Sequence, residues 1–409
     1  MGKRVLINSE NFYPIRGGGE KYLENLILKL IQDDYEIEVI TVIPEVEGFD
    51  KKFEYSITRI IEDKITSKQI LGHSVSEFVW GSGKYAEKYF NRKHNKINTW
   101  TQIENQIIEK ISSMKPFDVY IGVGQFGAKI KPYSQDIVSI IKKQNSDCKA
   151  FYLEFDMYHF SNPNGEKKDL LEIPNIDYII SLNEHDLNHK SILNENNKIC
   201  LPPILEIDSK KYPEDWENRP YDFGFVSPIY HKGNSIVRNL LLDFPEKKFL
   251  IKKPSYGSEY DLNEIYPLIS KNYDVLDWVD DIDKDFYQNC KFILYPSLNE
   301  GYGMVPVEAI LNGAIPIVNK TDSNYWVHGN NVYYVDTEMQ KNSILYNFQY
   351  YLDNYSLINS QWTSAITHIL NYEKRIYPLF IGNTNVKVKK HHRQRFEKLY
   401  LEFKKILEE

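Results

Sequence analysis

The strongest constraint on the fold is rhythm. Short apolar segments alternate with segments of helical periodicity twice along the chain, on either side of a proline-rich interruption. RVLINS at 4–9 is followed by GGGEKYLENLILKLIQDD, where Tyr22, Leu23, Leu26, Ile27 and Leu30 recur at helical spacing, and then by YEIEVITVIP. Strand–helix–strand units of this kind build parallel sheets. FDVYIGVG at 117–124, CKAFYLEFD at 148–156 and IDYIISLN at 176–183 read as further strands, while 50–100 lacks a clear pattern and reads as an insertion or lid. LPPILEIDSKKYPEDWENRP, 201–220, holds four prolines and reads as a linker. A second series follows. YDFGFVSP, KKFLIKK, YDVLDWV, KFILYPS, AIPIVNK and NVYYVD read as strands, with NSIVRNLLLDF, LNEIYPLIS, DKDFYQNC and PVEAILNG as helices between them. At 409 residues the chain exceeds what one core usually serves. The expectation is α/β, with two doubly wound units that bind ligands beyond the carboxyl ends of their strands.

The formal net charge of -7 gives no basic footprint for nucleic acid over the whole chain. Cys148, Cys200 and Cys290 lie far apart, form no ligand cluster and suggest a reducing, cytoplasmic compartment. The apolar run in MGKRVLINSENFYP is too short for a signal peptide or a span. NVKVKKHHRQRFEKLYLEFKKILEE carries Phe396, Leu399, Tyr400, Phe403, Ile406 and Leu407 on one helical face, after a basic start at Lys387, Lys389, Lys390, Arg393 and Arg395. Two readings stand: a helix packed on a domain with solvated lysines, or peripheral contact with an anionic membrane.

The stretch YPSLNEGYGMVPVEAILNGAIPIV, 295–318, is the densest in chemistry. Gly301 and Gly303 allow a tight turn and close backbone approach. Pro306 suits a first helical turn and Gly313 a helix end. Free N–H groups near 303–305 then form an anion site suited to a phosphate. Glu308 is placed to accept from a ribose diol, and Glu300 from hydroxyls on the other side of a diphosphate. The plainer reading makes both glutamates solvated surface residues, with the helix dipole accounting for an acidic first turn.

This segment resembles the signature of the retaining, glycogen-synthase-like "glycosyl transferases group 1" family: a proline and serine, then two glutamates with seven residues between them within EGFG…EA…G.PV. The matching positions are Pro296, Ser297, Glu300, Gly301, Gly303, Glu308, Ala309, Gly313, Pro316 and Ile317. The resemblance covers most of 1–45 and 170–400. It implies a GT-B fold, two Rossmann-like domains facing a central cleft, with a C-terminal helix able to pack back on the N-terminal domain. It assigns Glu308 to the ribose, Glu300 to the transferred sugar, and the backbone at Gly301, Tyr302, Gly303 and Met304 to the diphosphate. No metal is implied.

Three further segments are similar to family markers. YDFGFVSPIYHKGNSIV has Lys232 and Gly233 in place, but Ser227 stands where the family has an arginine. Lys252 or Lys253 of LIKKPS can compensate, although both read more simply as surface lysines at a strand end. P..GG.E is met by Pro14, Gly17, Gly18, Gly19 and Glu20, implying contact of Gly18 and Gly19 with sugar or phosphate. In FYLEFDMYHF the family histidine falls at Phe155, leaving Asp156 and His159 as sugar-side or acceptor-side candidates; a plain loop histidine is the alternative. DWVDDIDKD at 277–285 invites a metal, but its place after a strand argues against one, with Asp281 or Asp283 as a helix cap; the resemblance implies base contact by 278–282, including Val279 and Asp280.

The resemblance thus implies transfer of a sugar from a UDP- or GDP-sugar to a glycan, protein or lipid-linked acceptor, with retention. Glu300, Lys232, Asp156 and His159 are the candidate catalytic groups. The expected division is 1–205 for the acceptor, a linker at 206–220, 221–382 for the nucleotide sugar and a basic amphipathic helix at 383–409. A nucleotide-sugar sensor or scaffold without turnover, an epimerase and a sugar phosphorylase are the alternatives on the same fold.

Overall fold

The computed structural model describes residues 2–9, 12–13, 18–45, 47, 51–62, 105–123, 133–155, 176–184, 197–204, 216–226, 232–253, 272–276, 279, 281–298, 300–338 and 344–409. Two parallel sheets organise them. The first holds β1 (Arg4–Ser9), β2 (Glu36–Thr41), β3 (Ser56–Arg59), β4 (Val119–Val123), β5 (Lys149–Glu154), β6 (Tyr178–Ser181) and β7 (Lys198–Cys200), in the order β3-β2-β1-β4-β5-β6-β7. The second holds β8 (Tyr221–Val226), β9 (Phe249–Lys252), β10 (Tyr273–Leu276), β11 (Cys290–Tyr295), β12 (Ile315–Asn319) and β13 (Tyr333–Val335), in the order β10-β9-β8-β11-β12-β13. In each sheet the chain winds outward from the first strand and then reverses. The reversals lie between β1 and β4 and between β8 and β11, the points where open α/β sheets leave a crevice for ligands.

The central strands lack polar alternation because both faces are covered. Val119–Val123 is buried at every position, and β1 is buried after Arg4. The helix Gly18–Gln32 buries Tyr22, Leu23, Leu26, Ile27 and Leu30, the residues its periodicity singled out. Part of the stretch expected as an insertion or lid is instead β3, which extends the first sheet beside β2. The three-residue β7 is likewise an addition to the sequence reading.

The end of the proline-rich stretch is pinned to the second domain. Trp216 is buried and stacks on Tyr377 at 4.2 Å, while its Nε1 donates to the Lys291 carbonyl. Buried Arg219 donates to the carbonyls of Tyr287, Cys290 and Asn312. Those bonds offset part of the cost of burying the cation, whose Nε has no hydrogen-bond partner among the described residues.

One helix, Tyr355–Glu408, spans 54 residues. The expected division between 382 and 383 falls inside it. Its first half buries Ile358, Trp362, Ile366 and Ile369 in the core of the second sheet. Its far end buries Phe396, Tyr400, Phe403 and Leu407 in the core of the first sheet, with Phe403 edge-on to Phe151 at 5.5 Å. Lys3 and Lys149 donate to the carbonyls of Leu407 and Ile406. The expectation of membrane contact through this helix is thereby corrected: its apolar face lies inside the protein. Among the described residues no helix is long and apolar enough to cross a membrane.

Candidate active site

The site is built where β8 and β11 part. β11 ends at Tyr295, and Pro296 and Ser297 are held from beneath by Asn319 at the end of β12, whose Nδ2 donates to both carbonyls. The chain then turns through Gly303, which sits at φ +71°, into the helix Met304–Leu311. Gly303 has no side chain with which to cap that helix start, and no side chain among the described residues does so, which leaves its first amides with donors to offer. The helix Asn234–Asp243 after β8 also begins at a left-handed glycine, Gly233, at φ +81°. A Cβ there would lie 2.4 Å from the Pro296 carbonyl oxygen, so the two loops meet backbone to backbone.

Both expected glutamates are mostly buried and held by named partners. Glu300 Oε1 accepts from Ser297 Oγ at 2.6 Å and pairs with Lys232 Nζ. The Tyr295 hydroxyl bonds the same carboxylate; burial first, and the Glu300 charge second, raise its pKa well above the usual tyrosine range, so it remains a proton donor. Glu308 Oε2 accepts from the Tyr287 hydroxyl at 2.8 Å, and Oε1 pairs with Lys21 Nζ at 2.7 Å. The reading of both glutamates as plain solvated surface residues therefore gives way. The structure brings Lys232, Glu300, the turn 301–303 and Glu308 together around one helix start.

The first domain closes over this turn. Asn183 Nδ2 donates to the Gly301 carbonyl, and Tyr302 is buried in the first domain's core. A Cβ on Gly18 would come 3.9 Å from Met304 Sδ, and one on Gly19 3.0 Å from the Phe155 ring. Phe155, at the position of the family histidine, packs edge-on to Tyr22 at 5.6 Å. Val279 is half-buried. Asp156, His159, Ser227 and Asp280 lie outside the described residues. Asp281 caps the helix Ile282–Asp285 through the Lys284 amide, and Asp283 accepts from Asn312 Nδ2 at 2.7 Å. Among the described residues no group of three His, Cys, Asp or Glu could hold a metal ion.

Two site neighbours escaped the sequence reading, and for a third the simpler of its two readings gives way. Lys21 reaches Glu308 from 287 positions away, a relation no local pattern encodes. His328 is buried under the Gly303 turn, with neither ring nitrogen hydrogen-bonded, and burial followed by nearby Arg395 and His391 lowers its pKa to about 3. Lys252, expected as a surface lysine, is 6% exposed. FLIK is buried at all four positions, so the strand's last residue is enclosed as fully as its first.

No family model and no curated protein matches the chain. Solved structures do. The pneumococcal O-GlcNAc transferase GtfA, in complex with UDP and GlcNAc, is similar over 100% of this chain and 99% of its own, with a TM-score of 0.63 at 11% identity. The catalytic domain of starch synthase IV from Arabidopsis thaliana, bound to ADP and acarbose, covers 98% of this chain and 99% of its own, with a TM-score of 0.57 at 12% identity. Sucrose-phosphate synthase from Thermosynechococcus elongatus covers 97% and 100%, with a TM-score of 0.55 at 12% identity. At such identities the likeness shows the fold, two Rossmann-like parallel-sheet domains about a central cleft.

Proposed function

We propose that this chain of GT-B fold is a glycosyltransferase that moves a sugar from a nucleoside diphosphate sugar to an acceptor hydroxyl with retention of anomeric configuration. One observation carries the reading: two carboxylates, Glu300 and Glu308, flank an uncapped helix start at the strand reversal of the second sheet. An anion fits the helix start, and hydroxyls fit the carboxylates. A nucleoside diphosphate sugar offers that sequence of groups: ribose diol, two phosphates, sugar hydroxyls. Two of the similar structures hold UDP and ADP, which supports the same ligand class.

In this reading Glu308 takes the ribose, the amides at Gly303 and Met304 take the diphosphate, and Glu300 takes the sugar. Val279 and Asp280 flank the base, and Gly18 and Gly19 approach the donor from across the cleft. The acceptor oxygen bonds to the anomeric carbon as the bond from that carbon to the leaving phosphate breaks. The acceptor proton passes to the departing phosphate oxygen. Negative charge grows on the leaving group, where Lys232 and the helix start stabilise it. The first domain, 1–205, presents the glycan, protein or lipid-linked acceptor, with Asp156 and His159 on that side. Residues 221–382 hold the donor.

A hydrolysis screen of the purified protein over UDP-, GDP-, ADP- and dTDP-sugars tests this without knowledge of the acceptor. Release of one nucleoside diphosphate above background is expected. Tight binding with no release would make the protein a nucleotide-sugar sensor, and no binding at millimolar donor would end the reading.

A further inference from the structure

Three described lysines stand near the strand reversal of the second sheet, and they differ in one respect. Lys232 pairs with Glu300 and Lys21 with Glu308. Lys252 is the most enclosed, yet its ammonium has only the carbonyl oxygen of Lys253, at 3.1 Å, and no carboxylate among the described residues. Burial alone lowers its pKa below the usual lysine range, with no neighbouring charge offsetting that effect.

Pleating fixes where this cation lies. Phe249 and Ile251 face the core beneath the helix Asn234–Asp243, while Leu250 faces the opposite side, among Phe286, Tyr287 and Ala309. Lys252, two residues beyond Leu250, shares Leu250's face. Its register partners are Val226 on β8 and Leu276 on β10, and both pack on that same face. So does Val305, the second residue of the helix Met304–Leu311. Lys252 thus stands at the carboxyl edge of the sheet, one strand from the reversal and on the face that the helix Met304–Leu311 covers. A buried ammonium and a helix N-terminus on the same side are both positive and leave each other uncompensated.

We propose that Lys252 is a phosphate-binding residue, supplying the donor diphosphate with a cation that no carboxylate among the described residues neutralises. The inference rests on the donor-site reading above and extends it to a residue outside the glutamate motif. Because Lys232 and Lys21 must first leave their glutamates, Lys252 is the one of the three able to engage phosphate at once. Its contribution is confined to the phosphates, since the ribose and sugar hydroxyls belong to the carboxylates.

The test uses the full chain and four probes, UDP, GDP, uridine and guanosine, by calorimetry. Lys252→Met is expected to weaken the preferred diphosphate by about ten- to a hundredfold, the range of one charge-assisted bond, and to leave the nucleoside within twofold. Lys252→Arg retains most of the diphosphate affinity. Without ligand, Lys252→Met melts at or above the wild-type temperature, because an uncompensated buried charge is gone. If that variant fails to fold, Lys252→Gln takes its place. Diphosphate affinity within threefold of wild type in Met or Gln variants overturns the role of Lys252 alone, as does an equal loss for nucleoside and diphosphate. A wild-type protein that binds none of the four probes overturns the donor site itself, and this role with it.

Discussion

Lys21 and Glu308 meet at 2.7 Å across the two domains, joining the first helix of one to the helix that opens the site in the other. The glutamate oxygen that would read a ribose hydroxyl is therefore occupied by a lysine when no ligand is bound. Lys21 is half exposed, so the pair is worth only ~0.2–1 kcal/mol. Lys21→Ala should consequently bind uridine or guanosine up to about fivefold more tightly, as read by calorimetry. Weaker nucleoside binding would mean that Lys21 contacts the ligand, and the competition would be refuted.

Glu308 has a second partner that separates binding from stability. The Tyr287 hydroxyl is buried and donates to its other oxygen. Glu308→Ala strands that hydroxyl at a cost of about 1–3 kcal/mol, whereas Glu308→Gln leaves it an amide oxygen. The urea midpoint should fall for Ala, stay near wild type for Gln, and recover in Tyr287→Phe/Glu308→Ala. Both single variants should lose nucleoside affinity, by about tenfold or more.

Lys232→Ala should slow donor hydrolysis on the order of a hundredfold, the scale of one removed transition-state donor. Its melting temperature should move little, because Glu300 keeps the hydroxyls of Ser297 and Tyr295. Unchanged initial rates would remove Lys232 from the mechanism.

Acid should weaken the fold through two enclosed imidazoles. His392 shares a 2.5 Å hydrogen bond with the Tyr302 hydroxyl, and burial, then His328, His391 and Arg395, push its pKa well down. His328 is depressed to about 3. An unfolded histidine takes up its proton near pH 6.5, while the folded His328 refuses one until about pH 3. Stability from each group is thus complete above pH 6.5 and is lost as pH falls below it, at roughly 1.4 kcal/mol per pH unit. Melting temperatures between pH 7 and pH 5 should fall, and His328→Leu should flatten that slope. An equal slope in the variant would show that other groups carry it.

How much of this was legible in the sequence depended on range. The strand–helix alternation and the buried face of Gly18–Gln32 follow from local periodicity and were readable. Neither the strand order nor the reversal between β8 and β11 can be read that way, because both are set by pairing between distant segments. The surface reading of Lys252 failed for a related reason: a lysine ending an apolar run looks like a strand tip until the burial around it is known. The expected division between 382 and 383 falls inside the helix Tyr355–Glu408, whose two ends pack in different cores, a relation that local pattern does not carry. The EGYG turn and its glutamates were legible as chemistry. Their lysine and tyrosine partners were not, apart from Lys232.

The long helix also sets the order in which the molecule can be finished. Phe403 and Leu407 fill the same core as Val5, Ile7 and Phe151, and Lys3 reaches the Leu407 carbonyl. During synthesis the first two hundred residues emerge with that cavity open. Their interior stays unfinished until residue 407 has left the ribosome. The first domain, though first to be made, is thus among the last parts to become watertight.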